Sequence, residues 1–233
     1  MSGARRAIKA VVLVIGTTVV LSACGGSGDG ESKSSAGGQG PLTKAQLTDV
    51  LPEGADLPGF SAERQSLRLL EAKDVVTTGQ AACRPLADMM SASPRLPRRA
   101  MVWATIEADG APASAPPGTL TLTSHDGDTA AQWMTGLKRA VADCTRFTAT
   151  SKRGWTYDFT VASVPLERMG DDRVGYRITN VLDPSGGGNV MSVVRTGTTL
   201  ATYLLPPSKN GKPRPVPESV AIAQEKRIRA AAD

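Results

Sequence analysis

The chain contains 233 residues and carries a formal net charge of +5; 40% of its residues are hydrophobic and only 4% are aromatic. This length suits one folded domain with extensions, and the scarcity of aromatic residues requires a core built from aliphatic side chains. A positive charge this small does not indicate nucleic-acid binding, which depends on a concentrated basic surface.

Residues 1–23 have the layout of an export signal peptide. Three basic residues precede an apolar run over residues 10–21, and this run is too short for a membrane span of about 20 residues. The Leu-Ser-Ala-Cys sequence that ends at Cys24 resembles the lipobox of bacterial lipoproteins. The resemblance implies cleavage before Cys24 and its acylation, for example with palmitate, which anchors the protein in the lipid bilayer. The alternatives are an uncleaved anchor and a cysteine that lies there by chance.

A glycine- and serine-rich tract over residues 24–40 follows the signal directly. After Cys24 it contains no large apolar side chain, so it cannot bury enough surface to offset the entropy of ordering and is predicted to be a flexible tether. A tether of this length reaches roughly 20–25 Å. Residues 41–233 are therefore predicted to be a single folded domain held at the outer face of the cell membrane.

The two cysteines that remain, Cys83 and Cys144, are predicted to form a disulfide. An exported domain folds where thiols can be oxidised, and two thiols in such a domain most often pair. The bridge would close a loop of about 60 residues and stabilise the fold by about 4 kcal/mol in the chain-entropy model. Two buried free thiols, or one redox-active thiol, are the alternatives.

Hydrophobic periodicity defines the expected elements in chain order. It predicts a helix over 42–52, a strand over 66–72, a helix over 79–93, strands over 100–108 and 119–125, a helix over 126–147, strands over 155–164, 173–182, 189–197 and 199–205, and a closing helix that begins at Pro217. Clustered strands with short connections favour antiparallel pairing. We therefore expect a single α+β domain, an antiparallel sheet with helices packed mainly on one face.

Residue types that carry catalysis are present but poorly arranged. Ser124, His125 and Asp126 are adjacent, whereas a triad needs a base that reaches both partners. His125, the single histidine, is expected at a strand end or a helix cap rather than as a general base. One histidine and two paired cysteines do not make a zinc site, and the glycine-rich stretch over 183–189 fits a hairpin better than a phosphate loop. Neither catalytic residues, nor a metal, nor a cofactor is predicted.

Trp155, Tyr157 and Phe159 lie on one face of a predicted strand, because their spacing is two residues. They either fill the core or form the apolar wall of a ligand cleft. A second candidate contact surface is the basic, proline-rich loop with Lys209, Lys212 and Arg214. It is either a solvated loop or a surface that touches anionic lipid or cell-wall polymer.

Four stretches together carry a family resemblance: DVLPEGADLPGF, CRPLADMM, AAQWMTGLKRAVADCTRF and VVRTGTTLATY. With them, residues 42–232 resemble the extracellular sensor domain of actinobacterial PknH-like Ser/Thr kinases and their free lipoprotein relatives. The resemblance implies an antiparallel sheet with flanking helices, a disulfide-tied frame and a cleft proposed to bind a small ligand. The chain departs from the kinase members because it has neither a kinase domain nor a second cysteine pair.

These observations lead to one expected function and two alternatives. We expect a membrane-anchored extracytoplasmic lipoprotein whose sensor-like domain binds a small ligand and is not an enzyme. The first alternative is an envelope module that binds a protein partner and no small ligand. The second is a hydrolase.

Overall fold

The computed structural model describes residues 40–112, 114–182, 188–206, 208 and 212–233. The predicted signal peptide, Cys24 and the tether up to residue 39 lie outside the described residues. Within the described residues, no helix is both long enough and apolar enough to span a membrane.

The described residues form helices and strands in the following order: α1 Lys44–Val50, β1 Gly54–Leu57, β2 Phe60–Gln65, β3 Val76–Thr77, a 3₁₀ turn Ala81–Cys83, α2 Arg84–Met89, β4 Ala100–Ala108, β5 Gly118–Ser124, α3 Thr129–Asp143, β6 Arg146–Ser151, β7 Thr156–Val164, β8 Asp172–Asn180, β9 Asn189–Thr196, β10 Thr199–Leu204 and α4 Glu218–Ala232. The strands make one sheet in the order β1-β2-β4-β5-β10-β9-β8-β7-β6-β3. Every pairing between neighbouring strands is antiparallel. The α+β class and the single antiparallel sheet are thus confirmed.

The helices cover both faces of the sheet rather than mainly one. Consecutive residues of β10 point to opposite sides, so Ala201 belongs to the core beneath α1 and α4, whereas Leu200 belongs to the core beneath α2 and α3. The side with α1 and α4 is called the first face below, and the side with α2 and α3 the second face. Strands β9 and β10 are buried on both sides, so a helix layer on one side alone would leave apolar surface in water.

The helix predicted over 126–147 is present as α3, but it is shorter than predicted at both ends. The apolar residues of this helix form one buried stripe, which includes Trp133, Met134 and Leu137. The helix ends at Asp143 because Cys144 adopts an extended backbone. The residues that follow form β6, where burial alternates as in a strand.

Helix α1 begins at Lys44 and has Thr43 as its N-cap. The Thr43 side chain and Gln46 form a capping box, and the helix ends before Pro52. Its last carbonyls are satisfied from a distant part of the chain: Gln224 donates to the Val50 carbonyl at 2.9 Å and Arg227 donates to the Leu51 carbonyl at 3.0 Å. Helix α4 therefore satisfies α1 carbonyls that lack partners within that helix.

The strand predicted over residues 66–72 is wrong. These residues form a loop. Its first part, residues 66–70, contains the exposed leucines Leu67 and Leu69 and is called the leucine loop below. Strand β2 already pairs with β4 up to Gln65 opposite Trp103, and the Trp103 indole then donates to the Leu67 carbonyl at 2.8 Å. Strands β1 and β2 instead lie before this loop, over residues 54–65, where the sequence predicts neither helix nor strand; they are joined through Gly59 with φ +76°.

Candidate functional site

An apolar cavity of about 300 Å³ lies on the second face of the sheet. Its floor is made by side chains of β4, β5, β9 and β10, and its sides are made by α2, α3 and the leucine loop. The strongest sequence signal for it is the alternation of β5. Because Leu120 and Leu122 enter the core of the first face, the threonines that alternate with them, Thr119, Thr121 and Thr123, must line the second face.

The alternation of this strand predicts that its threonines point outward, into solvent. In the structure Thr121 and Thr123 lie opposite Thr202 and Leu200 of β10 in the strand register, and this neighbour completes the cavity floor. Sequence periodicity identifies the polar face of β5 correctly. Periodicity cannot predict that β10, about 80 residues later in the chain, pairs with β5 and continues that face.

His125 closes one end of the apolar cavity and is fully buried. Its Nδ1 lies 3.1 Å from the Pro97 carbonyl, and its Nε2 lies 2.9 Å from the Thr123 hydroxyl. Because a carbonyl can only accept, Nδ1 carries the proton and Nε2 accepts from Thr123. Burial lowers the pKa of His125 to about 4, so the imidazole is neutral at pH 7.

Arg98 lies beside His125 at the same end of the cavity. Its guanidinium donates to the Ser91 carbonyl at 2.8 Å and to the Asp88 carbonyl at 2.9 Å, which satisfies the C-terminal end of α2. The guanidinium lies 5.4 Å from the centre of the Trp133 ring. Burial lowers the pKa of Arg98, and the Asp88 carboxylate opposes that shift. An anchored cation therefore lies in the wall of a mostly apolar space.

A larger groove of about 790 Å³ adjoins the apolar cavity and is called the basic groove. It lies where β2 ends and β4 begins, between α1 and the leucine loop. The two spaces share four lining residues: Leu69, Leu70, Arg98 and Met101. Among the described residues that line the groove, five are basic and none is Asp or Glu.

The Cys83–Cys144 disulfide is present and confirms the predicted pairing. It joins the start of α2 to the end of α3, with the two Cα atoms 5.4 Å apart. Both helices border the apolar cavity through Met89, Met90 and Trp133. The bridge therefore holds together the two elements that form one side of the site.

The aromatic residues proposed for a ligand cleft lie elsewhere. Trp155 precedes β7 and is 59% exposed. Phe159 packs against Phe147 of the core, with ring centres 5.5 Å apart, and Tyr157 stacks on Phe159 at 6.1 Å. None of the three lines the apolar cavity or the basic groove. Phe159 is partly buried against the core of the second face. A ligand cleft at these three residues stays a prediction.

The other sequence candidates can be placed as follows. The 183–189 stretch joins β8 to β9, which pair as an antiparallel hairpin; residues 183–187 lie outside the described residues. Lys209 also lies outside them, and Arg214 from the same loop packs its guanidinium 5.1 Å from the Phe60 ring centre. Within the described part of the chain, no three His, Cys, Asp or Glu side chains are grouped as metal ligands.

The Thr123 hydroxyl and His125 are hydrogen-bonded to each other, as a nucleophile and its general base would be, but His125 is a weak base here. A base with a pKa of about 4 takes up a proton poorly at neutral pH. A backbone carbonyl orients the imidazole in place of the carboxylate that would stabilise an imidazolium. Both ring nitrogens of His125 are occupied by partners within the protein, so the pair is poorly placed to activate a nucleophile, and only the Thr123 hydroxyl oxygen can still accept a hydrogen bond from a bound molecule.

Comparison with known proteins gives no further assignment: no model of a protein family matches the chain, and neither does any curated protein.

Proposed function

We propose that the protein is an extracytoplasmic lipoprotein, anchored through acylated Cys24, whose folded domain binds a small ligand in the apolar cavity. The observation that carries the proposal is the cavity itself, with its apolar walls and the polar groups of Arg98 and His125 at one end. Ligand sites are typically apolar spaces of about 300–1,000 Å³ with few, well-placed polar groups. The sensor-like resemblance, which also implies a ligand cleft, supports the same function.

The cavity can be tested with a neutral apolar fluorophore, N-phenyl-naphthylamine, whose emission rises in apolar surroundings. We expect saturable enhancement by the protein and its loss in Thr121→Phe, because the larger ring fills the cavity floor. The matched control is Thr160→Phe, an exposed position on β7, which should bind the fluorophore as the unaltered protein does. Unchanged binding in Thr121→Phe, or no binding by the unaltered protein, would contradict a ligand site in this cavity.

The anchor has its own test. Replacement Cys24→Ser removes the sulfur that the lipobox resemblance assigns to acylation, so the protein should move from the membrane fraction to the soluble fraction. Loss of a single lipid site is expected to have this effect because each buried CH₂ contributes about 0.8 kcal/mol to membrane binding. Continued retention of the Cys24→Ser protein by membranes would argue against lipid anchoring.

The alternative of an envelope protein-binding module has less support. Large apolar side chains are exposed at Trp155 (59%) and Leu182 (79%), outside the candidate site. Exposed apolar residues that occur singly are normal on a protein surface and need no partner. The two remaining exposed leucines, Leu67 and Leu69, lie in the leucine loop beside the cavity and the groove, where a ligand-binding function accounts for them.

A further inference from the structure

We infer that the ligand is a single-chain amphiphile with an anionic head group, its alkyl part in the apolar cavity and its head group in the basic groove. This inference rests on the proposed function and adds the chemical class of the ligand.

The first argument is the continuity of the two spaces. The apolar cavity and the basic groove share the side chains of Leu69, Leu70, Arg98 and Met101. A molecule that extends from one space into the other therefore passes a boundary with three apolar side chains and one guanidinium. Such a boundary matches the junction between an alkyl chain and a charged head group.

The second argument is the charge of the groove. Its basic side chains come from α1, β2, the leucine loop and the start of β4: Lys44, Arg64, Arg68, Arg98 and Arg99. Within the described residues Lys44 and Arg68 make no ion pair, and both are exposed. No carboxylate in the groove lining offsets this charge, so the groove favours an anion.

Three of the cations do have carboxylate neighbours outside the groove lining. Arg98 interacts with Asp88, whose carboxylate also pairs with Arg84 and Arg95. Arg64 lies 3.4 Å from Glu53, and Arg99 lies 3.0 Å from Asp126. Both carboxylates are about two-thirds exposed, at 67% and 65%. Exposed pairs of this kind contribute little free energy, so they do not remove the preference of the groove for an anionic group.

The third argument is the leucine loop at the mouth of the site. Leu67 is 76% exposed and Leu69 is 37% exposed, while the Trp103 indole holds the loop backbone at the Leu67 carbonyl. Exposed leucines on an anchored loop, next to a charged groove, suit a ligand that has an apolar and a charged part. The cavity volume of about 300 Å³ lies at the lower end of ligand sites, which favours one alkyl chain over two.

The inference can be tested by isothermal titration calorimetry on the chain with Cys24→Ser, which lacks the proposed lipid anchor and is kept free of detergent. The probes are dodecyl phosphate, dodecanoate, dodecanol and inorganic phosphate. We expect at least one of the two anionic amphiphiles to bind about tenfold more tightly than dodecanol, a difference of about 1.4 kcal/mol. Inorganic phosphate should bind more weakly than either, because it makes no use of the cavity. The comparison of phosphate with carboxylate identifies the preferred head group.

Variants then locate the head group. Arg68→Gln and Lys44→Gln are exposed substitutions in the groove that leave the core unchanged. Each should weaken binding of the anionic amphiphile several-fold and leave dodecanol binding unchanged. The matched control is Arg139→Gln on the exposed side of α3, away from the groove lining, which should change neither affinity.

Two results would overturn the inference in distinguishable ways. If dodecanol binds as tightly as both anionic amphiphiles, or the groove variants have no effect, the anionic head group is wrong while the apolar cavity remains a ligand site. If none of the alkyl compounds binds and the neutral fluorophore also fails to bind, the proposed function fails together with the inference.

Discussion

Replacing Cys83 and Cys144 together by alanine should lower the free energy of unfolding by about 4 kcal/mol. The disulfide spans 61 residues of sequence, and cross-links that close long loops reduce the entropy of the unfolded chain most in the chain-entropy model. Urea denaturation of the oxidised protein and of the double variant, at pH 7, measures the difference directly.

The matched control for this prediction is reduction of the unaltered protein. A reductant should cause a similar loss of stability in the unaltered protein and none in the double variant. Intact-mass analysis after alkylation without reductant should show both thiols of the bridge protected. Labelling of both cysteines, or equal urea midpoints for the two proteins, would show that the bridge does not form or does not stabilise the fold.

Removing the bridge should also affect the ligand site. Helices α2 and α3 each border the apolar cavity, and the disulfide joins the start of one to the end of the other. We expect the double variant, under conditions where it remains folded, to bind the neutral fluorophore more weakly. Such a result would show that ligand binding in the apolar cavity depends on whether the Cys83–Cys144 disulfide is formed.

Acidification should destabilise the protein through His125 between pH 6.5 and about 4. The folded-state pKa is lowered to about 4 from an ordinary 6.5 because burial disfavours the imidazolium. In this range the unfolded chain binds a proton that the folded protein does not, so stability is complete above pH 6.5 and falls as the pH decreases. A shift of this size corresponds to about 3 kcal/mol at most.

The pH dependence of the free energy of unfolding, compared between the unaltered protein and His125→Gln, isolates this contribution. Apart from Asp126, which interacts with His125, we expect the carboxylates to titrate alike in both proteins, so the variant should show a shallower loss of stability below pH 6.5. Since the chain has one histidine, its imidazole proton resonance in NMR reports the pKa without assignment. An imidazole pKa near 6.5 in the folded protein would contradict the described burial.

Much of the local structure was predictable because its cause is local. The Thr43 capping box, the buried stripe of α3 and the alternation of β4 and β5 each arise from residues close in sequence. The disulfide was predictable for a different reason: once Cys24 is assigned to the lipid, two cysteines allow a single intramolecular pairing. The errors occurred at element ends and in the leucine loop, where contacts from distant strands outweigh local preference.

The candidate site was not predictable in the same way. The sequence drew attention to Trp155, Tyr157 and Phe159 because aromatic residues are scarce, yet the cavity is lined mainly by threonine, leucine and methionine. His125 was expected as a strand end, and it does follow β5 directly. That it closes a cavity depends on Pro97 and Trp133, which reach it from other parts of the chain.

By itself, the sequence determined the α+β class, most of the helices and strands, and the pairing of Cys83 with Cys144. Periodicity shows which side chains share one face of an element, because the geometry of helix and strand repeats over a few residues. Only the tertiary structure decided that β5 lies next to β10, that helices cover both faces, and that a cavity opens beside a basic groove. Cavities form where distant elements leave a surface incompletely covered, and such coverage depends on packing between segments that no local pattern relates.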